Sequence, residues 1–178
     1  MEAFKLDRSL AQLAILQRIE LTTSFQKKIR KLFGRYLFSK VFSRYMLDLD
    51  KVSKDYYRIM YNEYLTIKKF IKPNQNILSI GAGIGGLEVI INSSFKNENF
   101  TFIERDFISK KIRYGWDNEN TEAYNKLNLL ENFLVTNLVE IKSFKIINFD
   151  TQRLPKENFN LITSLYSLDF HYDFKVYQ

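Results

Sequence analysis

The segment Gly81-Ala82-Gly83-Ile84-Gly85-Gly86 constrains this chain more than any other. It follows the short apolar run Ile77-Leu78-Ser79-Ile80 and precedes a helix-like stretch from Leu87 to about Asn92. Gly81, Gly83 and Gly86 therefore fit G-x-G-x-x-G in the strand–turn–helix context that gives the pattern meaning. The first glycine permits a sharp turn, the second lets a ligand lie against the backbone, and the third lets the helix pack close to the sheet. Such a turn belongs to a parallel sheet, so the rest of the chain should supply alternating strands and helices.

It does so from Asn76 onward. Phe100-Thr101-Phe102-Ile103 is a second strand candidate closed by Glu104, and Phe144 to Phe149 is a third, closed by Asp150. Phe159 to Leu165 is a fourth. Between the second and third, Ala123, Leu127, Leu130, Leu134 and Leu138 keep one helical face, beyond a polar stretch from Arg105 to Asn120. Residues 1–72 read as helical. Leu6, Leu10, Leu13, Leu16 and Ile19 recur behind an Asp7 cap, and a helix after Asp50 should stop before Pro73. Between these, Ile29, Leu32, Phe33, Tyr36, Leu37 and Val41 form a stripe on a helix over residues 25–45. The expected fold class is α/β: a Rossmann-like parallel sheet within residues 73–178, preceded by an N-terminal helical segment over 1–72.

Composition narrows the chemistry. The chain has 178 residues, 46% hydrophobic and 16% aromatic, which excludes a disordered polymer. With no Cys, a disulfide scaffold, a thiolate metal site and a cysteine nucleophile are excluded. His171 is the single histidine, so no histidine-rich metal centre is expected. The net charge of +7 is matched by Lys27, Lys28, Arg30, Lys31, Arg35, Lys40 and Arg44, in a span from Leu21 to Leu47 without an acidic residue. The rest of the chain is balanced. No apolar stretch reaches the roughly 18 residues of a membrane span. Glu2, Asp7 and Gln12 break any signal-peptide pattern, and a cytoplasmic protein is the default expectation.

Glu104 falls about 20 residues after the first glycine, where a carboxylate can accept hydrogen bonds from both hydroxyls of a ribose. N–H groups at the helix start favour a carboxylate or phosphate. Together these features predict a ligand with an adenosine-type ribose. Gly-Ala-Gly-Ile-Gly-Gly-Leu with Glu104-Arg105-Asp106 resembles the fingerprint of FAD-dependent monooxygenases. Those enzymes usually begin with the motif and fill the following helix with small residues, whereas this helix reads Leu87-Glu88-Val89-Ile90-Ile91. Asn148-Phe149-Asp150-Thr151-Gln152-Arg153-Leu154-Pro155, followed by Phe159-Asn160-Leu161-Ile162-Thr163-Ser164, more closely resembles the class I S-adenosylmethionine-dependent methyltransferases. Asn160 and Ser79 stand where that family often has acidic residues.

The resemblance implies S-adenosyl-L-methionine as cofactor. Gly81, Ala82, Gly83 and Gly85 would cradle it, Glu104 would take the ribose and Asp150 the adenine amino group, with Thr151 and Ser164 beside them. Tyr114-Gly115-Trp116, Tyr124-Asn125-Lys126-Leu127 and Ser167-Leu168-Asp169-Phe170-His171-Tyr172 are similar to strings in sugar O-methyltransferases, which implies a sugar or glycan acceptor. His171, past the fourth strand, suits a general base because an imidazole titrates near neutrality. Asp169 or Tyr172 would orient it or the sugar; the alternative is a histidine hydrogen-bonded within a loop. Trp116 either meets the adenine or acceptor or wedges its loop onto the sheet. The family's sheet continues past the fourth strand, so the resemblance also implies a chain that ends early. A truncated product is the favoured expectation, over a fragment completed by another chain or a reduced protein. The basic helix would lie on an anionic membrane, attract an acidic substrate such as a nucleotide sugar or RNA, or simply be solvated while packing on the sheet domain. Nucleic acid is the least expected of these partners.

Overall fold

A computed structural model of the chain describes residues 2–34, 37–38, 45, 47–95, 98–109, 123–137, 139–165 and 167. Its helices are α1 (Arg8–Gln17), α2 (Ser24–Phe33), α3 (Leu49–Ile67), α4 (Gly86–Ser94) and α5 (Leu127–Thr136). The strands are β1 (Asn76–Ile80), β2 (Asn99–Glu104), β3 (Phe144–Asn148) and β4 (Leu161–Thr163). The strands form a single sheet in the order β3-β2-β1-β4, with every pairing parallel. This is the expected α/β architecture, with a Rossmann-like sheet after an N-terminal helical segment.

Local chemistry explains the helix starts. The Asp7 carboxylate accepts from the Leu10 N–H at 2.8 Å and caps α1. Thr23 and Gln26 form a reciprocal capping box on α2. Asp48 accepts from the Lys51 N–H at 3.0 Å, so α3 begins slightly earlier than the position after Asp50.

Strand side chains alternate between two faces. Ile77, Phe100 and Phe102 join a core with Phe4, Tyr56, Met60, Leu130, Phe133 and Leu134, drawn from the N-terminal segment, α3 and α5. The opposite face presents Leu78, Ile80, Ile103 and Ile147, against which Phe149, Leu154 and Phe159 pack. The β3–β4 connection therefore crosses that face without regular secondary structure.

Three expectations need correction. The basic helix does not run unbroken through residues 25–45: α2 ends at Phe33, where Gly34 takes φ +82°, and residues 35–36, 39–44 and 46 lie outside the described ones. The stripe was continuous in spacing, but the backbone leaves the helical region at that glycine. Ala123 and Tyr124 do not open α5. Tyr124 instead pairs with Ile108 in an isolated antiparallel bridge, which brings together the described residues on either side of 110–122. The fourth strand is also shorter than Phe159 to Leu165. No helix among the described residues is long and apolar enough to cross a membrane.

Candidate nucleoside site at the strand tips

Parallel pairing brings the carboxyl ends of all the strands to one edge, and the order places β4 and β2 on opposite sides of β1. A crevice at such a switch point is where open α/β sheets bind ligands. The glycine turn sits there. Gly81, Gly83 and Gly85 have φ of 67°, 65° and 84°, a region that L side chains rarely adopt. Gly81 and Gly83 also lack room for a side chain: a Cβ on Gly81 would collide with Ser167, and one on Gly83 would stand 2.6 Å from Gln17 Oε1. Residues 81–83 are half-buried, while 84–86 are buried, so the accessible part of the turn is its first half.

Glu104, at the tip of β2, closes on this turn. Its Oε1 accepts from the Gly83 N–H at 2.7 Å, and Asn125 Nδ2 donates to the Gly83 carbonyl at 2.5 Å. Glu104 is 9% exposed. Burial pushes its carboxyl up to about 7, opposed by the Gly83 N–H, the Asn125 amide and the Arg105 N–H, which favour the charged form. Glycine turn and carboxylate are thus joined by a hydrogen bond at the strand tips, with Asn125 as a third member.

Asp150 lies one strand further out. Its carboxylate sits 3.4 Å from Arg105 Nε, and its side chain is 38% exposed. The Arg105 guanidinium stacks over the Phe149 ring at 5.0 Å and lies 5.9 Å from Phe107. Asp150 is at the same sheet edge as Glu104, but its contact is Arg105 and not the glycine turn. The Thr151 N–H donates to the Asn148 carbonyl at 3.3 Å, and the residue is exposed. The Ala82 carbonyl accepts from the Gly85 N–H at 3.2 Å, tightening the turn, and Ser164 is half-buried just after β4. His171, Asp169 and Tyr172, together with Trp116, lie outside the described residues.

Other side chains at the turn escaped sequence reasoning. Gln17, at the end of α1, faces Gly83 and donates through Nε2 to the Tyr124 carbonyl at 2.8 Å. Tyr56 of α3 sets its hydroxyl against Gly86, and burial pushes its phenol up strongly. The N-terminal helices thus reach the turn from one side, and Tyr56 occupies space beside a helix-start amide expected to face an anion. Glu88 carried a readable signal, being a lone carboxyl in the run Leu87 to Ile91. It is buried and accepts from Ser79 Oγ at 2.5 Å, while its Oε2 meets no polar partner. Burial raises its pKa, and the Ser79 bond and the Arg18 charge act in the opposite direction. The Asn125 signal lay in Tyr124-Asn125-Lys126, yet its role depends on a bridge that spacing does not reveal.

In comparison with known proteins, the chain matches no family model, no curated protein and no solved structure.

Proposed function

We propose that the chain is an S-adenosylmethionine-dependent methyltransferase acting on a sugar or glycan hydroxyl. The observation that supports the reading is the 2.7 Å hydrogen bond from the Gly83 N–H to Glu104, which joins the carboxylate at the tip of β2 to the half-buried first half of the glycine turn. The donor and acceptor set fits a nucleoside: a carboxylate for the diol, half-buried backbone at 81–83, and a second acidic residue at the adjacent strand tip.

In this reading Glu104 accepts from the ribose hydroxyls, the backbone of Gly81 to Gly83 lies along the ligand, and Asp150 accepts from the adenine amino group. Gln17 and Asn125 hold the shape of the turn from either side. When bound, the cofactor supplies an electrophilic methyl group on a sulfonium sulfur. The protein's share of the work is alignment, worth about 7–11 kcal/mol where the reacting atoms are held in near-attack geometry. His171 takes the proton from the acceptor hydroxyl, with Asp169 or Tyr172 orienting the imidazole or the sugar. The choice of a sugar hydroxyl rests on the resemblance of the strings at Tyr114, Tyr124 and Ser167. The enzyme works in the cytoplasm.

Calorimetric titration with S-adenosylhomocysteine tests this reading. Binding is expected in the micromolar range, weakened on the order of 10- to 100-fold by Glu104→Ala, as for loss of hydrogen bonds to a charged group. Binding of NAD or FAD in its place would move the chain to the oxidoreductases. A folded protein that takes none of these ligands would be a non-catalytic domain.

A further inference from the structure

α2 is a formed helix that meets the core only at its edge. Gln26 N–H donates to Thr23 Oγ1 at 3.2 Å and Thr23 N–H donates to Gln26 Oε1 at 2.9 Å, fixing its start. None of its residues is buried. Helical spacing places Phe25, Ile29, Leu32 and Phe33 on one side, Lys28 at the edge of that side next to Phe25 and Leu32, and Lys27 and Lys31 on the other. Leu32 is 78% exposed and Phe25 62%, so these two apolar side chains meet solvent. The helix touches the body through Ile29, which packs against the core edge, and through Arg30 Nη1, which donates to the Ile15 carbonyl at 3.4 Å.

We propose that α2 docks this protein on the surface of an anionic lipid bilayer, its apolar side sunk at the boundary between headgroups and acyl chains. Two features select this occupant. No acidic residue lies between Leu21 and Leu47, so the charges that α2 and its sequence neighbours carry are all positive, which complements a negative leaflet. An RNA or an acidic protein surface would satisfy the lysines but leave Leu32 in water, whereas acyl chains accept it. Lysines on the far side can extend their stems and keep their ammonium groups at the phosphate level. Association would be peripheral, because the helix is far too short to span the hydrocarbon. The inference does not depend on the proposed chemistry.

Co-sedimentation of the full chain with vesicles tests it. The protein should pellet with phosphatidylcholine mixed with phosphatidylglycerol, stay in solution with phosphatidylcholine alone, and detach in high salt. Replacing Lys27, Lys28 and Lys31 together by Glu should lower the partition coefficient on the order of 100-fold. Phe25→Ser combined with Leu32→Ser should lower it on the order of 10-fold or more. Both variants should melt like the wild type, since no α2 residue is buried. The proposal is overturned if the wild type does not pellet with anionic vesicles. It is equally overturned if the Phe25 and Leu32 variant pellets as well as the wild type, which would reveal a surface reading charge alone.

Discussion

The two faces of the sheet are built from similar strands and covered very differently. Toward the helices, Phe100 and Phe102 are sealed in a core shared with α3, α4 and α5 and rich in aromatic contacts, such as the edge-on packing of Phe4 on Phe133 at 5.2 Å. On the other face Leu78, Ile80, Ile103 and Ile147 are also buried, but the described residues that pack on them are single side chains of the β3–β4 connection, and Ile162 is 56% exposed. Parallel strands read as apolar on both sides because both sides are normally covered. Strand composition therefore announces that a covering exists, and only tertiary structure tells what supplies it. The helical face also carries the polar chemistry, since Glu88 bonds Ser79 beneath α4 and Glu104 bonds the glycine turn at its rim.

The largest expected effect tests the aromatic core directly. Phe102 has no exposed surface, and Phe102→Ala should destabilise the fold by about 3–5 kcal/mol in urea denaturation. A loss below about 1 kcal/mol would mean that the helical layer is not what holds the sheet together.

A smaller effect follows from the carboxyl at the rim. The Glu104 pKa is raised from 4.5 to about 7 in the fold, mainly by burial, so the folded state binds a proton that the unfolded chain releases. Stability from this group is complete below about pH 4.5 and is lost as pH rises through 7, a change of about 3 kcal/mol at 1.36 kcal/mol per pKa unit. Glu104→Gln should flatten that part of the pH–stability curve, measured by urea midpoints between pH 4 and pH 8. An unchanged slope in the variant would assign the dependence to another group, with buried Glu88 the first to replace. The same carboxylate accepts hydrogen bonds better once ionised, so under the proposed function affinity for S-adenosylhomocysteine should move in the opposite direction and rise with pH across this window.

Local chemistry made much of this legible. The turn at Gly81 to Gly86, the strand ending at Glu104 and the Asp7 cap each depend on a few adjacent residues, and each lies where spacing placed it. Interactions between distant segments were not legible. Gln17 reaches the Tyr124 carbonyl, and Tyr56 reaches Gly86, across long stretches of chain, and neither glutamine nor tyrosine advertises a partner. Ala123 fitted the helical period, but α5 starts at Leu127 and the neighbouring Tyr124 is held in a bridge to Ile108. The apolar stripe from Ile29 to Val41 kept its spacing across Gly34, whose positive φ ends the helix. Period reports which side chains want a common face, and a single glycine decides whether they get one.

The weakest effect belongs to the thinly covered face. Ile162 pairs through its backbone with Leu78, so β4 holds its register by hydrogen bonds, while most of its side chain meets solvent. Ile162→Ala should then change the urea midpoint by no more than about 0.5 kcal/mol, the usual range for surface positions. The same substitution at a sealed site would cost several times more, because it would remove contacts and leave a cavity. A loss of about 2 kcal/mol or more at Ile162 would show that this face is covered in solution as completely as the helical one. The difference between Phe102 and Ile162 thus measures how unequally these two strand positions are buried.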